Sequence, residues 1–160
     1  MATEYKYPRV SRAEELVATL LYVATDEERR ILRNAKAPKT KLDDFWMNLG
    51  GDKEFARKMI KNFYRKIELA NLYFTGYKEG WKTDQGMIFI IFGTPNEIYK
   101  QEGKEIWFYE KRNSIPTITF IFERKVGPLK KPIVELHHSG EYGPVWFQTV
   151  DLWRKGILEK

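Results

Sequence analysis

The chain has no cysteine among its 160 residues. That absence excludes a disulfide framework, thiolate ligation of zinc or iron–sulfur clusters, and a cysteine nucleophile. Histidine is nearly absent too. His137 and His138 are the only two, adjacent in a stretch that reads as a strand, where neighbouring side chains point to opposite faces and cannot share a metal. No metal site and no cofactor are therefore expected. Long apolar runs are also missing: nothing approaches the roughly 18 residues of a membrane span. The opening MATEYKYPRV lacks the apolar core of a signal peptide. No glycine-rich phosphate cradle of the P-loop form follows a strand, and Ser11, Ser114 and Ser139 sit in no G-x-S-x-G elbow.

What is present is charge and aromatic mass. Twenty-eight Lys and Arg against 22 Asp and Glu leave a net charge of +6, a balance that favours nucleic acid, anionic lipid or an acidic protein as partner. Ten Phe, nine Tyr and five Trp make the chain aromatic-rich; most belong to the core, but so many leave room for an exposed aromatic contact surface. The length suits one domain with one core.

The first half reads helical. SRAEELVATLLYVA opens with Ser11 and Glu14 spaced as a capping box, with a strand as the alternative for VATLLYVAT. TDEERRILRNA repeats the device with Thr25 and Glu28, and KTKLDDFWMNLGG gives a short helix stopped by Gly50 and Gly51. In DKEFARKMIKNFYRKIELANLYF, Met59, Ile60, Phe63, Ile67, Ala70 and Phe74 fall on one arc at the helical period. The opposite face carries Arg57, Lys61 and Arg65 at i, i+4, i+8, a like-charge row relieved either by Glu54 and Glu68 or by an anionic partner.

After Gly76, which suits a helix C-cap, the period changes to two. MIFIIF is apolar on both parities, as expected of a central strand covered on both faces. EIWFYEKR, TITFIFERK and PIVELHH follow as further strands, joined by the short links NSIP and VGPLKKP that make successive strands antiparallel. In TITFIFE, Ile118, Phe120 and Phe122 share the buried parity. The fold class expected is α+β, with a helical N-terminal half (residues 11–75) on an antiparallel sheet of about four strands (residues 86–138). A tail over residues 139–160 resumes helical spacing through Trp146, Val150 and Trp153, all within one domain spanning 1–160.

Two polar stretches flank MIFIIF. In GWKTDQG, Gly80 and Gly86 suit positive φ, Thr83 and Asp84 can accept hydrogen bonds from amides a residue or so further on, and Trp81 offers an apolar body to pin the loop. GTPNEI reads as a helix start, with Thr94 as N-cap, Pro95 at N1 and Glu97 completing a capping box. The segment ANLYFTGYKEGWKTDQGMIFIIFGTPNEI resembles the signature of the GWxTD domain, a bacterial family typical of Bacteroidetes and related bacteria. Gly80, Trp81, Thr83 and Asp84 match its name in full. Ala70, Asn71, Phe74, Gly86, Gly93, Pro95, Glu97 and Ile98 match the flanking pattern, while Gln85, Met87, Thr94 and Asn96 depart from it. The resemblance implies a module of a longer exported chain, periplasmic or outer-membrane-associated, and supplies no catalytic residues.

The function expected is thus a non-enzymatic protein-interaction module of a bacterial cell-envelope protein, with a protein partner. Its contact surface is expected at Gly80, Trp81, Thr83 and Asp84, at Trp107 and Tyr109 on one parity of their strand, and along Arg57, Lys61 and Arg65. The second reading is nucleic-acid binding through basic and aromatic surface, since aromatic strands with basic ends suit base stacking. The third is an enzyme with a carboxylate site around Asp84, which Glu97, Glu105 and Glu135 would have to approach from opposite strand ends.

Overall fold

Four of the helix starts among the described residues carry a side-chain acceptor at the cap or in the first turn. In a computed structural model that describes residues 10–34 and 36–158, the helix α2 (Asp26–Arg33) opens with the expected box: the Thr25 amide donates to Glu28 Oε2 at 2.8 Å and the Glu28 amide to Thr25 Oγ1 at 3.2 Å. The helix before it, α1 (Ala13–Leu20), is capped one residue later than Ser11 and Glu14 suggested. Glu15, not Glu14, accepts from the Ser11 and Arg12 amides. No strand follows in VATLLYVAT, because the chain turns at once, with the Val23 amide bonded to the Leu20 carbonyl at 3.0 Å.

The helix α3 (Pro38–Gly50) ends on Gly51 at φ 73°, and α4 (Lys53–Phe74) begins where Asp52 accepts from the Glu54 and Phe55 amides, each at 2.9 Å. Its inward arc is as the spacing required: Ala56, Met59, Phe63, Ile67 and Ala70 are buried. Gly76 does not take the left-handed C-cap conformation expected of it, since Thr75 caps α4 in extended backbone.

The apolar run MIFIIF is not a strand. It lies in the helix α5 (Asp84–Phe92), in which Gly86 and Ile88 through Phe92 are all buried. A segment apolar on both strand parities is equally apolar all around a helix, and such a helix is buried on every side. Nor does GTPNEI start a helix. Gly93, at φ 78°, terminates α5, and the chain passes through Thr94–Asn96 into the strand β1 (Glu97–Gln101). That strand is exposed at every residue, so no one-sided apolar pattern announced it.

Three further strands, β2 (Lys104–Tyr109), β3 (Ile118–Val126) and β4 (Pro132–Leu136), complete a four-stranded antiparallel sheet in the order β1-β2-β3-β4. The fold is α+β as expected. His137 and His138 follow β4 rather than lying within it, and both are exposed. The last helix, α6 (Tyr142–Arg154), fulfils the weak spacing of the tail.

One face of the sheet carries Trp107, Tyr109, Ile118, Phe120 and Phe122, all buried. Against it lie α5, through Phe92 at 4.8 Å from Phe120, and α6, through Tyr142 at 4.8 Å from the same ring. Beyond them sits α4, whose Phe63 ring is 5.5 Å from Trp153 of α6. Thus α5 is sandwiched between α4 and the sheet. The segment 75–83 that leads into it is the hinge on which the two halves are assembled.

Candidate functional site

The bend begins at the end of α4. Asn71, 1% exposed on an otherwise apolar face, turns its Oδ1 to accept the Trp81 amide at 3.0 Å. Thr75 Oγ1 accepts the Gly80 amide at 2.9 Å. These bonds draw the 3₁₀ turn Gly80–Lys82 so close to α4 that a Cβ on Gly80 would lie 2.0 Å from the Ala70 carbonyl oxygen. A Cβ on Gly86 would lie 1.8 Å from the Gly80 carbonyl oxygen. Neither glycine has the positive φ expected from its turn context. Both are needed for close approach of backbone to backbone instead.

Trp81 is buried, as its proposed pinning role requires. Its ring packs edge-on to Tyr22 at 6.0 Å, and its carbonyl accepts the Tyr22 hydroxyl at 2.7 Å. Burial, and then the negative charge of Asp84, push the Tyr22 hydroxyl up to about 12. Lys82 lies over the Trp81 ring at 5.4 Å and pairs with Glu79 at 3.1 Å. Thr83 is the N-cap of α5: its hydroxyl accepts the Gly86 amide at 3.0 Å and donates to the Gly80 carbonyl at 2.7 Å.

Asp84 does something other than serve its own turn. Its Oδ2 accepts the Leu136 amide at 2.7 Å, across to β4. The phase of the ladder explains why that amide is available. The His137 amide bonds to the Ile121 carbonyl at 2.7 Å, and in an antiparallel pair the bonded residues alternate. Hence the main-chain groups of Val134 and Leu136 point away from β3, toward the open edge. Asp84 takes one of these outward donors, a carboxylate covering part of a strand edge.

Along that edge runs a cleft of about 600 Å³. One wall is the end of α4 and the turn after it, with Phe74, Gly76, Tyr77 and Lys78, and another is β4 from Pro132 to Leu136. Asp84, Met87 and Tyr142 also line it, as do Glu135 and His138. Glu135 already holds Lys125 at 3.0 Å. Of the four carboxylates weighed for acid–base work, Asp84 and Glu135 reach the cleft. Glu97 instead accepts from the Tyr99 hydroxyl, and Glu105 accepts the Trp107 Nε1–H at 2.8 Å. Among the described residues, no group of three or more His, Cys, Asp or Glu is arranged to hold a metal ion.

The remaining sequence candidates fall elsewhere. Trp107 and Tyr109 are 2% and 7% exposed, so the aromatic contact surface expected of them is a correction: their parity faces the helices, and Ile106 and Phe108 face outward, half-buried. Tyr109 spends its hydroxyl on the Gly93 carbonyl at 2.8 Å. Both rings belong to the core. Arg57, Lys61 and Arg65 are exposed along α4, none lines the cleft, and among the described residues no ion pair relieves the row, from Glu54 and Glu68 or otherwise. What sequence reasoning missed was the edge of β4 and the role of Asn71. A lone amide in the apolar arc of α4 was the available signal for the second.

A model of the GWxTD domain family matches residues 1–155 of the chain. No curated protein and no solved structure matches it.

Proposed function

The chain belongs to the GWxTD domain family, and we propose that it acts as a non-enzymatic protein-interaction module of a bacterial cell-envelope protein, taking an extended segment of a partner along the open edge of β4. The observation that carries this reading is the outward-facing main chain of Val134 within the cleft, beside an edge donor already occupied by Asp84. An extended peptide presents N–H and C=O groups at the matching spacing, so main-chain bonds supply affinity and alternate side chains supply specificity. Phe74, Met87 and Tyr142 offer apolar ground for those side chains. The envelope location rests on the family resemblance.

The test removes one donor. Val134→Pro deletes an N–H that β3 does not use and keeps a backbone that edge strands tolerate. Extended peptides selected from a displayed library should bind the unaltered chain in fluorescence anisotropy, show alternating apolar residues, and lose binding to Val134→Pro while the melting temperature holds. Undiminished binding to the proline variant would remove the edge from the account. A second reading is favoured by one fact, that Asp84, Glu135 and His138 line a single cleft. An enzyme working through Asp84 would release product from a small-molecule ester, amide or glycoside panel and lose that turnover in Asp84→Asn.

A further inference from the structure

The hairpin joining β3 to β4 ends in the two most exposed large apolar side chains among the described residues, Val126 at 81% and Leu129 at 90%. Single exposed apolar residues are ordinary, but these two are held out together by a stitched turn. The Gly127 amide bonds to the Lys131 carbonyl at 2.7 Å, and the Lys131 amide to the Pro128 carbonyl at 3.2 Å. Gly127 has no room for a side chain, since a Cβ there would lie 2.4 Å from Ile133 Cγ2. Leu129 and Lys130 both adopt left-handed backbone, at φ 56° and 58°, a conformation that costs free energy for residues with a Cβ. The chain accepts that cost to keep an apolar apex in water.

The apex has a basic collar. From Arg124 to Val134 the sequence holds Arg124, Lys125, Lys130 and Lys131 and no carboxylate. Lys125 is neutralised by Glu135 at 3.0 Å, whereas among the described residues no ion pair reaches Arg124, Lys130 or Lys131.

We propose that this hairpin tip is a membrane-contact prong, seating Leu129 and Val126 at the headgroup–acyl boundary of an anionic bilayer while Lys130, Lys131 and Arg124 meet headgroup phosphates. The chemistry of the tip decides the occupant. Leu129 and Lys130 share the apical turn and Val126 and Lys131 stand behind them, so apolar groups and cations lie side by side with no carboxylate among them, as acyl chain ends and headgroup phosphates lie side by side at the boundary of an anionic bilayer. An acidic protein surface would be met by the cations and would leave the protruding leucine without a partner. The prong is independent of the peptide reading of the cleft.

Co-sedimentation of the 160-residue chain with vesicles tests it, comparing phosphatidylcholine alone with the same lipid containing about a third phosphatidylglycerol. Binding is expected to the anionic vesicles only, and to weaken as salt rises. Leu129→Asn is the sharpest variant, because Asn tolerates left-handed backbone and so leaves the turn intact, which circular dichroism confirms. It should lower vesicle affinity about tenfold. Lys130→Gln and Lys131→Gln should each cost about fivefold. Replacing Arg57, Lys61 and Arg65 together by Gln should change little. Equal binding to neutral and anionic vesicles, binding to neither, or wild-type affinity in Leu129→Asn would each overturn the proposal. So would loss of binding on removal of the α4 row, which would move the membrane face to that helix.

Discussion

α4 and α5 are both helices, pack against each other, and look nothing alike as sequences. In α4 the apolar residues recur at the helical period and the charged ones fill the other face, because one side meets water. In α5, Ile88 through Phe92 are buried without interruption, because α4 covers one side and the sheet and α6 the other. Periodicity therefore reports how many sides of a segment are wet, and only through that its conformation. The bend between the two helices, with Gly80, Trp81, Thr83 and Asp84, is what makes the sandwich possible. It presses one backbone against another, caps the buried helix and ties its first residue to β4.

The strongest way to break this comparison is to force the two helices apart. Gly80→Ala places a methyl 2.0 Å from the Ala70 carbonyl oxygen, a clash with backbone that no rotamer relieves. A loss of about 4 kcal/mol or more is expected, enough to consume most of a small domain's stability. Gly76→Ala, with nothing within 4 Å of the added carbon, should change the unfolding free energy read from urea titration by less than about 0.5 kcal/mol. Similar losses at both sites would mean that turn flexibility, not close approach, is what the glycines supply.

Alanine scanning sharpens the contrast between one wet side and none. In α5, Ile88, Ile90 and Ile91 are each at most 3% exposed, and each truncation should cost about 2–5 kcal/mol with no quiet position between them. In α4 the costs should rise and fall with the turn. Phe63→Ala is expected to lose about 3–5 kcal/mol, while Arg57→Ala, Lys61→Ala or Arg65→Ala should be neutral or stabilise by a few tenths through relief of like-charge repulsion. Chemical denaturation of the series reads this directly.

How much of this was legible beforehand follows from the same rule. The arc of α4, the Thr25–Glu28 box and the buried parity of Ile118, Phe120 and Phe122 each meet solvent on one side, and each was visible in the sequence. The α5 segment reads as a strand and the start of β1 as a helix, through Thr94, Pro95 and Glu97, and the two misreadings are complementary. One segment is dry all round and the other wet all round, so neither carries a period. Trp107 and Tyr109 lie on the strand that the sequence indicates but on its covered face, and a strand's parity alone does not say which face the helices cover. The Gly80–Asp84 bend was legible as architecture. The reach of Asp84 across to Leu136, 52 residues away, was not, since no local pattern encodes which strand edge lies beside a turn.

That reach yields a smaller prediction. Asp84→Ala leaves the Leu136 amide without its acceptor and should cost about 1–3 kcal/mol, with faster hydrogen exchange at Leu136 as the local signature. Asp84→Asn keeps an acceptor and should cost less than about 1 kcal/mol. If Asn proved as damaging as Ala, the charge itself would matter, and the carboxylate reading of the cleft would gain ground over the scaffold reading.

A further effect separates the two sides of the sandwich by pH. Tyr22, beside the bend, and Tyr64, on α4, are each pushed up to about 12 by burial, Tyr22 also by the charge of Asp84. Both start from an unfolded value of 10.0. A group whose folded pKa lies above its unfolded one contributes its full share below the unfolded value. As pH rises past 10 the unfolded chain ionises first, so stability falls by up to about 1.4 kcal/mol per pH unit for each tyrosine, until pH nears the folded value. Tyr22→Phe should cost about 1 kcal/mol at neutral pH, because its bond to the Trp81 carbonyl is lost, and should flatten one share of the alkaline decline. Tyr64→Phe should flatten another and leave the bend untouched. Urea midpoints followed from neutral pH to about 12 would show the two shares adding. If Tyr22→Phe left the alkaline slope unchanged, its hydroxyl would have to be hydrated, and Trp81 would not be pinned as tightly as its packing indicates.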